Sequence, residues 1–509
     1  MKKGFMKWML FSIASLLLSS CNGNTSNNST IKEWKDDSID DVVYDENGNV
    51  VFDNIELNMW SVCTNPDSVY QDQIINKFNE IYKGQIKVTP YHESRYSIYG
   101  ALAQAVTQDP ENAPDIFYGY GEKIAALENN DILVPIDTYL EKANIGFDAS
   151  YFEPNLISAC FVNDKLYGLP ISVDSTMIFV RKDILEKNEI AIPTNYVELM
   201  NVCDTLVEKA EKGELWVRGN NSSTVSTDDV YKWRKYVPDL EGQYYPFPIS
   251  SGDMWVNAYL SQTVALQNGG ELVNEEGKPA YNTEEVAKGL QILRDWFWPT
   301  ETSANRHALS KPDLNYDAGI SEFYSGMSAF YLDGAWSGYK DTALMDSMYA
   351  ADGGSLKNMG IMNFGNLFAL DNSKSYANSI FGDSHTATIV KTCKSRTERI
   401  AAAIFINYLA ENCGDVWTQA GHLPASLIVQ SSDDLYLNNQ YYKKYVQYYG
   451  STTQYKILQS TIYYDEIYES YQVAIKQVMA STYRSKTITS ILENNYQDCM
   501  LRISDREDL

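Results

Sequence analysis

Between residues 55 and 118 the sequence repeats one rhythm, and that rhythm restricts the fold more than any other feature of the chain. Residues 55–60, Ile-Glu-Leu-Asn-Met-Trp, read as a strand. Residues 67–82 then place Ile74, Phe78, Ile81 and Tyr82 at helical spacing. A strand pattern at 85–90, a helical one around 99–106 and a strand at 114–118 follow. Strand, helix, strand, helix, strand predicts a mostly parallel sheet with helices on both faces. Ligands of such sheets sit beyond the carboxyl ends of the strands. Trp60, Ser61, Tyr118 and Tyr120 occupy that edge by position.

A chain of 509 residues is too long for one compact core, so at least two lobes are expected. The segment that would join them is Tyr167 to Arg181, where a Gly-Leu-Pro turn runs into a β-branched, apolar stretch. Val173, Ile178 and Val180 suit a buried strand, and Pro170 fits only at its start. Asp174 interrupts this pattern with a carboxylate, which needs solvent or a partner. It either lies exposed at a strand end or faces a cleft between lobes.

Further along, Pro193-Thr-Asn195 with Glu198 has the form of a capping box, ahead of an apolar face of Leu199, Cys203, Leu206 and Ala210. Residues 214–250 are irregular and read as a surface insertion. Residues 255–268 predict a helix stopped at Gly269-Gly270, and Asn282 with Glu285 opens another, carrying Val286, Leu290, Leu293 and Phe297. A strand at 327–332 runs into Asp333-Gly-Ala-Trp336. A helix spans 396–409, and the last ~70 residues, rich in tyrosine, read mostly as helix.

Charge and chemistry narrow the function. With 67 Asp plus Glu against 41 Lys plus Arg, the surface repels phosphate backbones, which argues against nucleic acid as a partner. The 38 Tyr and 10 Trp exceed what a core requires, and such rings suit surfaces apolar on one side and hydrogen-bonding on the other. His92, His307, His385 and His422 are far apart in sequence, so metal or nucleophilic chemistry has no local signature. There is no G-x-S-x-G, no H-E-x-x-H and no phosphate-binding glycine loop. No cofactor is implied.

At the amino end, Lys2, Lys3 and Lys7 precede an apolar run from Trp8 to Leu18, too short to reside across a bilayer. Leu18-Ser-Ser-Cys21 resembles a lipobox, which implies cleavage before Cys21 and a lipid on its sulfur. Residues 22–30 form a polar tether, and residues 31–54 an acidic extension with a hairpin signal at Asn47-Gly48. The six remaining cysteines show no metal-type spacing and suit small buried side chains, with one disulfide left open.

In order, Met59-Trp60, Ala113-Pro-Asp-Ile116, Tyr167-Gly-Leu-Pro170 with Phe179-Val-Arg-Lys-Asp183, Asp333-Gly-Ala-Trp336 and Gly421-His-Leu-Pro-Ala425 resemble the extracellular carbohydrate-binding proteins of ABC transporters, the group that includes maltose-binding protein. The resemblance runs from about Ile55 to Ile503. It implies an α/β, two-lobed periplasmic-binding-protein-like fold, each lobe a mostly parallel sheet flanked by helices and joined by hinge segments. Lobe 1 would comprise 55–172 and 385–430, and lobe 2 173–384 and 431–509. The first crossing falls at 170–175, where the family often places a carboxylate that accepts sugar hydroxyls, matched by Asp174. The second crossing matches Phe381-Gly-Asp383-Ser384. Trp336 matches a stacking tryptophan, Asp333 opens its motif, and Tyr118 or Tyr120 matches an aromatic; Trp255 either joins them or packs between helix and sheet. Phe179-Val-Arg departs from the family's usual tyrosine-tyrosine-asparagine.

The implied function is capture of a mono- or oligosaccharide in the inter-lobe cleft and its delivery to a transmembrane permease. The protein would be a monomer, exported and tethered to the membrane by its lipid. Two other readings remain: a lipid-anchored glycoside hydrolase, whose two carboxylates would stand ~5–9.5 Å apart, and the ligand-binding partner of a membrane sensor.

Overall fold

A computed structural model describes residues 34–218, 232–251, 254–312, 314–334, 344–362, 365–412, 414–432, 454–456 and 461–507. The chain divides into compact units 1–37 and 38–509, and the second holds all the regular structure described below. Its elements, in chain order, are β1 (Ile55–Ser61), α1 (Asp67–Ile81), β2 (Ile86–His92), α2 (Arg95–Gln108), β3 (Ile116–Tyr120), β4 (Leu133–Val134), β5 (Gly168–Pro170) and β6 (Ser172–Arg181). There follow α3 (Tyr196–Glu211), α4 (Met254–Leu266), α5 (Glu284–Phe297), β7 (Phe330–Gly334), β8 (Met359–Met362), β9 (Ser379–Asp383) and β10 (His385–Val390). Last come α6 (Arg396–Asn412), β11 (Leu423–Pro424), β12 (Gln454–Lys456), α7 (Tyr464–Met479) and α8 (Ile488–Glu507).

The strand–helix alternation expected at the start is present, and it builds the first sheet, ordered β2-β1-β3-β10-β4 with β5 also on β10. β2, β1 and β3 are parallel, while β10 runs against β3, β4 and β5. The second sheet is ordered β7-β6-β9-β12, with β8 and β11 also on β6. Only β9 and β12 are parallel there; every pairing of β6 is antiparallel. The two-sheet α/β architecture is therefore as expected, but "mostly parallel" is corrected: two of the five pairings in the first sheet and one of the five in the second are parallel. The cause is the hinge. The chain leaves the first sheet at β5, enters the second as β6, and returns from β9 into β10. Outgoing and returning strands run in opposite directions and pair side by side, with Asp174 opposite Asp383.

Local chemistry sets the helix ends. Asn195 accepts from the Glu198 amide at 3.0 Å, and the Glu198 carboxylate accepts from the Thr194 amide at 2.8 Å, completing the capping box. The helix expected from Asn282 is capped one residue later, by Thr283. α2 begins at Arg95, earlier than its apolar pattern suggests, because Ser94 caps it. Asp333 lies within β7 rather than after it. At Asn47-Gly48 the turn is held by the Asp45 carboxylate, which accepts from the Asn47 and Asn49 amides, both at 2.8 Å.

Two further expectations change. Residues 214–250 are not simply a surface insertion. Among those described, Trp216–Val217 pairs with Arg234–Lys235, and Phe247 is buried against Trp296 and Phe330. The departure at Phe179-Val-Arg is structural: Arg181, fully buried, forms a two-bond fork with Asp183 at 2.9 and 2.7 Å. Cys63, Cys160, Cys203, Cys393 and Cys499 are free and buried, while Cys21 and Cys413 lie outside the described residues. Among the described residues no helix is long and apolar enough to cross a membrane.

Candidate functional site

The hinge pairing sets Asp174 and Asp383 side by side, and two adjoining hollows open beside them, of about 310 and 470 Å³. They share Arg95, Tyr96, Tyr120 and Tyr259, so they form one continuous cleft. Its walls come from the first sheet's loops on one side and from α4, β9 and α7 on the other.

In the smaller hollow Asp174 is buried and its oxygens are engaged. Oδ1 lies 2.7 Å from His422 Nδ1, and Oδ2 accepts from Ser172 Oγ at 3.0 Å and lies 3.1 Å from His385 Nδ1. His422 Nε2 stands 3.4 Å from Asp67. Burial opposes charge on both partners, but their mutual attraction outweighs it. The two histidines hold the Asp174 carboxyl far below its usual range, and Asp174 with Asp67 holds the His422 imidazole up at about 10.

Asp174, His385 and His422 also offer three metal-ligand atoms within 4.8 Å of one another. The 2.7 Å contact is a hydrogen bond, shorter than two ligands each ~2.0–2.1 Å from one tetrahedral ion allow. As arranged, the cluster is an ion-paired hinge rather than a metal cage. A second such group, Asp115, Cys393 and Glu398, lines neither hollow, and Asp115 serves there as acceptor for the Asn58 amide at 2.8 Å.

The larger hollow is aromatic. Tyr96, Tyr99, Tyr120, Tyr259, Phe381, Tyr464 and Tyr468 supply half of its fourteen lining residues, enough to cover an extended apolar ligand face. Between them sit Glu122 and Asp383. Their meeting follows from the backbone: the Gly121 amide donates to the Ser384 carbonyl at 3.0 Å. A Cβ on Gly121 would stand 2.6 Å from Ser384 Oγ, so a larger residue here would force that hydroxyl to move. Tyr464 then donates to Glu122 Oε1 at 3.0 Å. Asp383 accepts from the Ser384 amide at 2.6 Å, but burial and then the charge of Glu122 push its carboxyl well above the usual range.

A family model of bacterial extracellular solute-binding proteins matches residues 73–440, well over half the chain. The chain belongs to that family. Solved structures of similar fold include the sugar-binding protein MalE of Xanthomonas citri, with 16% identity, a TM-score of 0.65, and 89% of this chain and 100% of that chain covered. The GacH receptor of Streptomyces glaucescens, solved unliganded and with acarbose, shows 13% identity and a TM-score of 0.64 over 88% of this chain and 98% of that one. A MalE domain of Bdellovibrio bacteriovorus bound to maltotriose shows 15% identity and 0.63 over 88% and 100%.

In this solute-binding protein the expected site residues divide. Asp174, Tyr120 and Asp383 line the cleft. Ser61 and Ser384 are buried beside it and line neither hollow: Ser61 Oγ donates to Gln71 at 2.6 Å, and Ser384 Oγ pairs with Thr386 at 3.0 Å. Tyr118 is core, stacked on His385 at 5.4 Å. Trp60 points to the other face of β1, packed on Tyr91 at 5.7 Å. Asp333 is fully buried within β7 and accepts from the Gly334 amide at 2.7 Å. Trp60 and Ser61 face opposite ways because neighbouring side chains alternate along β1, whereas Tyr118 and Tyr120 share a face of β3 and both stack on His385, with Tyr120 at the strand end where the cleft opens. Trp336 lies outside the described residues, as does the side chain of Trp255. Missed from sequence were His385, His422, Arg95, Glu122, Tyr259, Tyr464 and Tyr468. Two of these carried a signal: His385 directly follows the second crossing, and His422 stands in the Gly421-His-Leu-Pro motif.

Proposed function

We propose that this solute-binding protein captures a sugar or oligosaccharide in the cleft and delivers it to the permease of an ABC transporter. The observation that carries the reading is the larger hollow, where seven aromatic rings surround buried carboxyl groups. A pyranose has an apolar C–H face for such rings and a rim of hydroxyls for Asp, Glu and Tyr. Hydrogen bonds to ionised acceptors are roughly twice as strong as neutral ones. The solved relatives that hold maltotriose, acarbose or cycloalternan support the same class of ligand. Export, with a lipid on Cys21 as the tether and a monomeric form, belongs to this reading, as do lobe boundaries near 172 and 384. So does a binding role without catalysis, which the match to the extracellular solute-binding family supports.

The test is a thermal-shift and calorimetric screen of the purified protein against mono- and oligosaccharides. Binding of at least one sugar, with the sugar recovered intact, is the expected result. Tyr259→Ala is expected to weaken that binding by up to about tenfold, the scale of one aromatic contact. Sugar cleavage would replace the reading with a hydrolase, and no binding across the screen would remove it.

A further inference from the structure

Among the aromatic rings of the cleft, Tyr96 is left outside the packing. It is 82% exposed, whereas Tyr259, which also lines both hollows, is 7% exposed. A lone exposed ring on a protein surface needs no explanation. Tyr96 is not alone, because it ends a row of flat groups that starts at the hinge. His385 stacks on Tyr120 at 5.2 Å, and the Arg95 guanidinium lies 5.6 Å from the Tyr120 ring and 5.7 Å from the Tyr96 ring. Along this row His385 is buried, Tyr120 and Arg95 are half-buried, and Tyr96 stands in solvent at the mouth.

The start of α2 holds Tyr96 there. Ser94 caps the helix and accepts from the Tyr96 amide at 3.4 Å. The Glu93 carboxylate in turn accepts from the Ser94 amide at 2.8 Å and from the Ser97 hydroxyl at 3.0 Å. The backbone is thus set before a ligand arrives, which lowers the ordering cost of a contact at this ring. Size points the same way. The hollows, of about 310 and 470 Å³, each fall in the lower part of the ~300–1,000 Å³ found for small-molecule sites, and joined they lie well inside that range. A single pyranose seated deep in the cleft covers the buried rings. A chain with one unit on Tyr259 and others leading outward reaches Tyr96.

We propose that the ligand is an oligosaccharide rather than a single sugar, and that Tyr96 sets the preferred length by stacking on a unit at the cleft mouth. This rests on the sugar-binding reading above and adds the size of the ligand. Covering an exposed ring with a C–H face adds affinity only for chains long enough to reach it, because shorter ones leave the ring in water.

The experiment titrates the full-length protein by calorimetry with malto-, cello-, xylo- and manno-oligosaccharides, each from the monosaccharide to the pentasaccharide. In a series that binds, affinity is expected to rise with length, with a step of roughly two- to tenfold where the chain reaches Tyr96, the range for one aromatic contact. Tyr96→Ala is expected to abolish that step, and Tyr96→Phe, which keeps the ring, to preserve it. A step that survives in Tyr96→Ala, or a monosaccharide bound as tightly as its oligomers, would overturn the inference and leave the sugar-binding reading standing. Binding of no member of any series would overturn both.

Discussion

At the residue scale the hinge carboxylate has a different part from the one its motif implies. Asp174 matches a position that accepts sugar hydroxyls, yet its oxygens already meet His422, His385 and Ser172. A buried pair broken from one side leaves the other charge uncompensated. Asp174→Ala is therefore expected to lower folding stability by ~3–5 kcal/mol, read as a lower urea midpoint with an unchanged slope. A loss of sugar affinity with no change in that midpoint would instead make Asp174 a ligand contact only. Asp383 behaves oppositely. It lacks a cationic partner among the groups that act most on it, and its carboxyl stays protonated into a range where ordinary carboxylates are charged.

At the element scale, close packing rather than propensity decides which changes are tolerated. α5 lies against α4 at Gly289, where an added Cβ would stand 2.5 Å from the Val264 carbonyl oxygen. Alanine normally favours helix over glycine, but here a backbone oxygen, which cannot swing aside, occupies the space. Gly289→Ala is expected to cost ~1–3 kcal/mol and to lower the melting temperature; a rise would show that the helices separate freely. The acidic extension acts on an element too. Asp41 accepts from the amide and hydroxyl of Thr397, at 3.0 and 2.9 Å, where the first turn of α6 has unpaired donors. Ile39 bridges Ser395 beside it. An extension that reads as a polar leader to the fold thus anchors the helix that backs the first sheet.

At the scale of the whole molecule, the ion-paired hinge links stability to pH. The folded-state pKa of His422 is raised to about 10, against ~6.5 for an unperturbed histidine. Its stabilising contribution is fully present below pH ~6.5 and is lost as pH rises through the folded value. Asp174 is depressed, so its contribution is present above pH ~3.8 and is lost on acidification. The raised Asp383 contributes below pH ~3.8, and that contribution is lost as pH rises through its folded value. The melting temperature is expected to fall from pH 6.5 to 10, and the gap between the parent and His422→Gln to narrow over that interval. A gap that stays constant across it would show that His422 is neutral in the folded protein.

Strand–helix alternation, a capping box at Thr194–Glu198 and a Gly-Leu-Pro turn entering a β-branched run were legible in the amino-acid order, because each depends on periods of two or 3.6 residues and on neighbours a few positions apart. From these, together with the order of motifs, followed the two lobes, the crossings near Pro170 and Ser384, and the presence of Asp174, Asp383 and Tyr120 in the cleft. What the chain's order could not reveal was which distant groups meet. His422 reaches Asp174 across 248 residues, and Tyr464 reaches Glu122 across 342. Nor could it tell Tyr120, in the cleft, from Tyr118, in the core, or find that Trp60 faces away. Position along a strand is local, but which face is buried, and against what, is set by the packing of the sheets.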